Sequence, residues 1–378
     1  MHVTRLEARG FRNLAPLTLE PHRRLNVFLG DNGQGKTNLL ESVHLVTALR
    51  PLRTIARGSD LICAGASQAH VAARLDLDGP LDVDVALEPQ GRRARIAGKV
   101  VKDVGEIARR VRVVAFTPED LTIVRGAPVE RRRAIDRFAF SLDASFSTIA
   151  RRYEAALERR NRLLRAHARD HAQIDAYTTT LVDAGVLLTR KRAEAVRTWA
   201  PLFREAAHAV SEGALDAAVR YRPDVEGTVQ PDGAPVDDDT ARARLTEALE
   251  AAREGELRRR ATLVGPHKDD LEVALFARGA RHMASQGEAR ALVLALKIAS
   301  VRALTAAHGT APLLLLDDVA GELDRTRARL LFALIDEVET QAFVTATHDA
   351  LLPGCGAHRA FEIVRGTITM VHDRDGVE

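Results

Sequence analysis

The sequence predicts an α/β protein in which a mixed sheet with flanking helices is assembled from both chain ends, with a mainly helical segment inserted between them. Three observations carry this. A strand-like run, Leu25 to Leu29, leads through a Gly-rich loop into an amphipathic helix. A wholly apolar run, Leu313 to Leu316, ends in the pair Asp317 and Asp318. Between the two, the stretch from about Pro128 to Gly213 carries helical periodicity.

At 378 residues the chain exceeds the usual size of a single core, so two domains or one domain with a large insertion are expected. A formal net charge of +3 and a pI near 9.1 permit an anionic partner without requiring one. The positive charge is mostly Arg, which suits guanidinium forks on phosphate and equally follows from codon bias. Cys63 and Cys355 are far apart and in no CxxC, which implies neither a zinc site nor a disulfide framework and fits a reducing cytoplasm. With no apolar signal core at the N-terminus and no run of bilayer-spanning length, no membrane association and a cytoplasmic location are expected.

In chain order, Val3–Ala8, Leu17–Leu19 and Leu25–Leu29 read as short strands. Alternating apolar residues Leu75, Leu77, Leu81, Val83, Val85 and Leu87 flank Asp78-Gly79-Pro80, a hairpin signal. Val111–Phe116 reads as a buried strand, and the character changes at "TPEDL". In the helical stretch Ile149, Tyr153, Leu157 and Leu164 fall close to one face, and Ile174, Tyr177, Leu181 and Leu188 on another. Arg222–Thr240, rich in Pro, Gly and Asp, is a loop or loose hairpin, followed by a helix near Ala241–Arg260. "QAFVTAT" is a further strand, and "FEIVRGTITMV" a hairpin turned at Arg365-Gly366.

Gly30, Asp31, Asn32, Gly33, Gln34, Gly35, Lys36 and Thr37 satisfy G-x-x-x-x-G-K-[ST], with Asn38 opening the helix behind them. The glycines let backbone N–H groups close around phosphate oxygens, and the helix start adds its dipole. Lys36 would reach the β and γ phosphates of ATP, and Thr37 would take Mg2+. The carboxylate such a loop needs is Asp317: a charge at the end of so apolar a strand is costly unless it meets a cation. Asp318 would then orient or deprotonate water; the alternative is that both aspartates cap the following turn. "ASQGEARAL" reads as a helix start with Ser285 and Glu288 forming a capping box, and equally as an exposed phosphate-binding helix start.

The order "GKTNLLES", "SQGE", "LLLLDDVAGELD", "FVTATHD" resembles the ABC-type ATPase (P-loop NTPase) heads of the SMC and Rad50 group. With "GFRNL", "FTPEDLTIVRGAPVERRRAIDR", "YEAALERRNRLL" and "TLVGPHKDDL" it resembles the RecF family more closely, over essentially the whole chain. The resemblance implies an ATPase head of residues 1–116 and 261–378 and a mainly helical arm of 117–260. It implies that Ser285, Gln286 and Gly287 are the signature that completes a partner subunit's ATP site. Gly321–Asp324 would be the D-loop, with Asp324 at the nucleotide interface, and His348 the switch residue. Arg12 and Asn13 would lie near the nucleotide, and Arg53 and Arg57 on an arginine-bearing loop that also serves as candidate DNA contact. Lys36, Asp318 and His348 are the expected catalytic residues, with Thr37 and Asp317 on the metal.

The departures from the family pattern are specific. Asp318 stands where Glu is usual, which shortens the reach by one methylene and implies slow hydrolysis. Glu288 stands where Gln is common, and Glu119 and Asp120 occupy roughly the place of a Gln-loop. "GPHKDDL" reads only as a tight turn before a strand. Arg131, Arg132 and Arg133 are either a solvated helix face or the start of an arm that meets duplex phosphates.

The function implied is a weak DNA-stimulated ATPase switch of recombinational repair: an ATP-dependent homodimer on double-stranded DNA near gaps or ss/ds junctions. It would help RecA loading with RecO and RecR. A Rad50-like tether fits less well, because CxxC and sustained heptads are missing. A transporter ATPase subunit fits poorly with the long helical insertion, and a nuclease lacks a further carboxylate cluster.

Overall fold

The computed structural model describes residues 1–53, 58–101, 105–166, 171–318, 325–347 and 358–374. Its chain contacts divide into two compact units, one of Met1–Asp120 with Val293–Glu378 and one of Leu121–Leu292.

The first unit holds two six-stranded sheets. In the antiparallel one, β1 (His2–Arg9), β2 (Leu17–Leu19), β4 (Ala69–Asp76), β5 (Pro80–Glu88), β6 (Gly91–Ile96) and β7 (Lys99–Val101) lie in the order β2-β1-β4-β5-β6-β7. β4 and β5 alternate buried with exposed or half-buried residues, so one face is core and the other is wet. Their turn is the expected one, with Asp78 and Gly79 at φ 77° and 143°.

The second sheet joins both chain ends. β3 (Leu25–Leu29), β8 (Val113–Phe116), β12 (Leu313–Leu316), β13 (Ala342–Ala346) and β14 (His358–Val364) are parallel neighbours, and β15 (Thr367–Arg374) closes the edge as an antiparallel hairpin: order β15-β14-β3-β13-β12-β8. β3, β12 and β13 are buried at every position, as strands covered on both faces must be. The helix Lys36–Ala48 buries Leu39, Leu40, Val43 and Val46 in one cluster with Leu6, Val71 and Val85 of the antiparallel sheet and Phe28, Leu315 and Phe343 of the parallel one. That cluster fixes the helix, and with it the loop it grows from.

One expectation from the sequence is corrected here. The helix Gln286–His308 is long and apolar enough, by length and composition, to cross a membrane. Its 18-residue apolar window is 67% buried, and Val293, Leu294, Leu296, Val301 and Leu304 lie in the protein core, which accounts for the composition without a bilayer.

The second unit carries the helices Pro128–Leu142, Phe146–Arg165, His171–Val210 and Asp238–Arg259, together with a three-stranded sheet that the sequence did not announce. β9 (Ala217–Arg222) pairs with β10 (Asp270–Leu275), and β10 with the two-residue β11 (Arg278–Gly279). That pairing draws residues 261–292, expected with the head, into this unit. "GPHKDDL" is the hub of a buried polar network here. Asp269 accepts from Arg192 Nη1 at 3.0 Å, Asp224 N at 2.9 Å and Tyr221 Oη, while Arg192 forks onto Asp136 and reaches Pro266 O. Tyr153 Oη meets His267 Nδ1 at 2.8 Å. Three helices and the sheet are therefore tied by one heptapeptide, more than the tight turn expected of it.

Candidate nucleotide-binding site

The loop between β3 and the helix Lys36–Ala48 is shaped by backbone necessity. Gly30 sits at φ 151°, and a Cβ there would lie 2.4 Å from Ile363 O. Gly35 sits at φ 113°, with a Cβ 3.1 Å from Asn13 Oδ1. L-residues rarely adopt such angles, so both glycines are required. The β14–β15 turn clamps the loop: Arg365 N donates to Gln34 Oε1 and Gly366 N to Gln34 O, both at 2.7 Å. Asp31, Asn32 and Gly33 form the exposed tip.

The helix start is bare. Gly35 offers no side-chain cap, and no acidic residue stands in the first turn, so the first N–H groups and the positive end of the dipole are left for an anion. Lys36, itself buried, donates to Gly30 O at 2.6 Å and Asp31 O at 2.9 Å. Burial lowers its pKa, and the charges of Asp318, Asp317 and Asp31 oppose that shift. These features fit a polyphosphate.

Across the parallel sheet, Asp317 stands at the end of β12 and is 5% exposed. Its Oδ1 accepts from Thr37 Oγ1 at 2.8 Å and from Thr345 Oγ1, on β13, at 3.0 Å. Burial raises the carboxyl pKa, and the two hydroxyls and the charge of Arg53 pull it down. A buried carboxylate touching a hydroxyl, one residue from a phosphate-type lysine, is the donor set a hard divalent cation takes, so Mg2+ fits Thr37 and Asp317. Asp318 follows at φ 52°, its N–H donating to Thr345 Oγ1 at 2.7 Å.

One turn further along the helix from Thr37, Glu41 is fully buried and its Oε2 accepts from Arg12 Nε at 2.9 Å and Arg53 Nη2 at 3.1 Å. Arg53 also reaches Asn38 Oδ1, and Asn38 Nδ2 reaches Asn13 Oδ1 at 2.7 Å. Arg12, Asn13, Asn38 and Arg53 are thus brought together against the first turns of the helix. Sequence reasoning missed Glu41 and Thr345, although one polar residue on a wholly buried strand is a signal for the latter.

The other expected residues divide. His348, Gly321–Asp324 and Arg57 lie outside the described residues. In the second unit Ser285, Gln286 and Gly287 are exposed, and the capping box is formed: Ser285 N donates to Glu288 Oε2 at 2.7 Å and Glu288 N to Ser285 Oγ at 3.2 Å. Those bonds to Ser285 lower the Glu288 pKa. Asp120, at the place of a Gln-loop, is buried against Lys297 at 2.8 Å and accepts from Thr117 N at 2.8 Å. The arginine cluster needs correction. Arg131 is buried and forks onto Asp270 at 2.6 and 2.8 Å, and Arg132 donates to Asp269 O. Only Arg133 of the three is exposed, and it pairs with Glu130.

Comparison with known proteins agrees with the geometry. The family of RecF/RecN/SMC N-terminal domains matches residues 2–368. A DNA replication and repair protein RecF of Anaeromyxobacter sp. (strain Fw109-5) is 42% identical over 97% of this chain and 98% of its own. The chain belongs to the RecF family. RecF of Myxococcus xanthus is 38% identical over 94% of this chain and 93% of its own. Among solved structures, a RecF–ATP structure from the RecFOR pathway superposes with a TM-score of 0.88 at 24% identity, covering 99% of this chain and 97% of that one. An Smc head bound to the C-winged helix domain of ScpA gives 0.57 at 16% identity, covering 99% and 98%. The fold is therefore the ABC-ATPase head that RecF and SMC proteins share.

Proposed function

We propose that this RecF-family chain is an ATP-controlled clamp on duplex DNA in recombinational repair and replication restart. ATP joins two copies, the dimer holds double-stranded DNA near a gap or ss/ds junction, and slow hydrolysis releases it. The observation that supports this reading is the pairing of a bare helix start at Lys36 with the Thr37–Asp317 contact, which suits a nucleoside triphosphate with its divalent cation. Lys36 and the loop N–H groups bind phosphates, Thr37 and Asp317 hold Mg2+, and Asp318 orients water. Bound Mg2+ would neutralise phosphate charge. His348 and Asp324 complete the site by family resemblance, and Ser285, Gln286 and Gly287 act on the nucleotide of the second copy. RecO and RecR are the partners this reading supplies, RecA loading the outcome, and the cytoplasm the location.

The test is ATP-dependent binding of the purified protein to gapped and to plain duplex DNA, with sedimentation beside it. Equal binding with and without ATP, by a protein that stays monomeric with ATP, overturns the reading.

A further inference from the structure

The parallel sheet places one hydroxyl between the two aspartates that the switch reading uses. Thr345 is fully buried on β13, next to β12, and Phe343 and Val344 pair with Leu315 and Leu316. Its Oγ1 donates to Asp317 Oδ1 at 3.0 Å and accepts from Asp318 N at 2.7 Å. A hydroxyl has one proton to give and lone pairs to accept with, so both bonds form at once.

Each bond does something a methyl group cannot. Asp317 Oδ1 takes Thr37 and Thr345 together, which fixes the carboxylate plane before any cation arrives. Asp318 is held at φ 52°, a left-handed angle that Asp visits more readily than most L-residues, and the bond from its N–H to Thr345 fixes it there. We propose that Thr345 is a positioning residue whose single hydroxyl aligns both the metal-binding carboxylate of Asp317 and the left-handed backbone of Asp318. The proposal rests on the nucleotide-switch reading above and adds to it a residue that acts through the two aspartates.

The experiment uses the full chain carrying Thr345→Val, which keeps shape and removes the hydroxyl. Hydrogen exchange at the Asp318 amide, measured without nucleotide, is expected to speed up. The Mg2+ concentration for half-maximal ATP binding should rise about tenfold or more, the usual scale for a lost outer-shell partner. ATP affinity in EDTA should stay as in the parent. Thr345→Ser should restore both readouts, and Thr345→Ala against Thr345→Ser replaces the comparison if the Val variant folds poorly. A parent that binds Mg2+-ATP beside a Val or Ala variant with unchanged amide exchange and unchanged Mg2+ requirement overturns the role of Thr345. A parent that binds no ATP overturns the switch reading instead, while faster amide exchange in the variant still reports the bond to Asp318.

Discussion

Thr37 and Asp317, 280 positions apart in sequence, meet at 2.8 Å. The contact closes because β3 and β12 both flank β13 and run parallel to it, so the loop after one strand and the end of the other emerge at the same carboxyl end of the strands. It also makes a pH prediction. Burial raises the Asp317 pKa above the ordinary 3.8, and Mg2+ takes only the ionised form. In the nucleotide-free protein the raised value favours the protonated state, so the stability it lends is present at low pH and lost as pH rises through it. Mg2+-dependent ATP binding should run the other way. It should weaken on acidification at a pH above the ordinary carboxylate range, with Asp317→Asn weak throughout and lacking that inflection. Titration calorimetry across pH checks this.

Ser285→Arg addresses the second copy. Ser285 is exposed and lies outside the Lys36 loop's unit, so its replacement should leave ATP binding by one chain intact. ATP-induced dimerisation should be abolished. Sedimentation with and without ATP reads this directly, and normal dimerisation of the variant would falsify the signature role.

The arginine cluster now separates into stability and binding. Arg131→Ala leaves Asp270 without its fork and should cost about 2–4 kcal/mol, less than a fully buried pair because Asp270 is partly exposed. The chain has one tryptophan, Trp199, stacked on Phe138 of the Arg131 helix at 4.5 Å, so denaturation followed by its fluorescence reports the loss. Arg133→Ala should leave stability near that of the parent, since exposed pairs contribute little. If Arg133 meets phosphate, its loss should lower the salt slope of duplex binding by roughly one. An unchanged slope returns Arg133 to a solvated face.

What was legible in the sequence follows from what each signal depends on. The loop Gly30–Thr37 and the strand before Asp317 were legible because local rules dictate them: glycine for forbidden angles, unbroken apolar runs for strands covered twice. The Asp78-Gly79 and Arg365-Gly366 turns were legible for the same reason. Arg131 was misread because its partner, Asp270, is 139 positions away, and an arginine aimed inward looks like one aimed at DNA until the partner is placed. Arg160 makes the same point: it stands on the buried stripe of its helix, closed by Glu256 at 2.6 Å. β9 was missed because it is six residues long and finds its pair, the strand expected after "GPHKDDL", only across the intervening helix Asp238–Arg259.

Asp318 carries the last prediction. It follows Asp317, the proposed metal ligand, its backbone is pinned by Thr345, and its charge is felt by Lys36, which is where the proposed site would need a water-positioning group. Losing a general base typically costs about 10²- to 10⁴-fold in rate, whereas binding need not change. Asp318→Asn should therefore keep ATP binding and dimerisation, lose most turnover, and hold the dimer on DNA longer than the parent does. Asparagine keeps the size and tolerates the left-handed angle, so the fold is not put at risk. The shorter Asp in place of Glu further implies a slow parent enzyme, and Asp318→Glu should speed turnover if reach is what limits it. ATPase rate measured beside DNA dwell time decides the assignment. Near-normal turnover in Asp318→Asn, or slow turnover without a longer dwell, removes Asp318 from the water-positioning role.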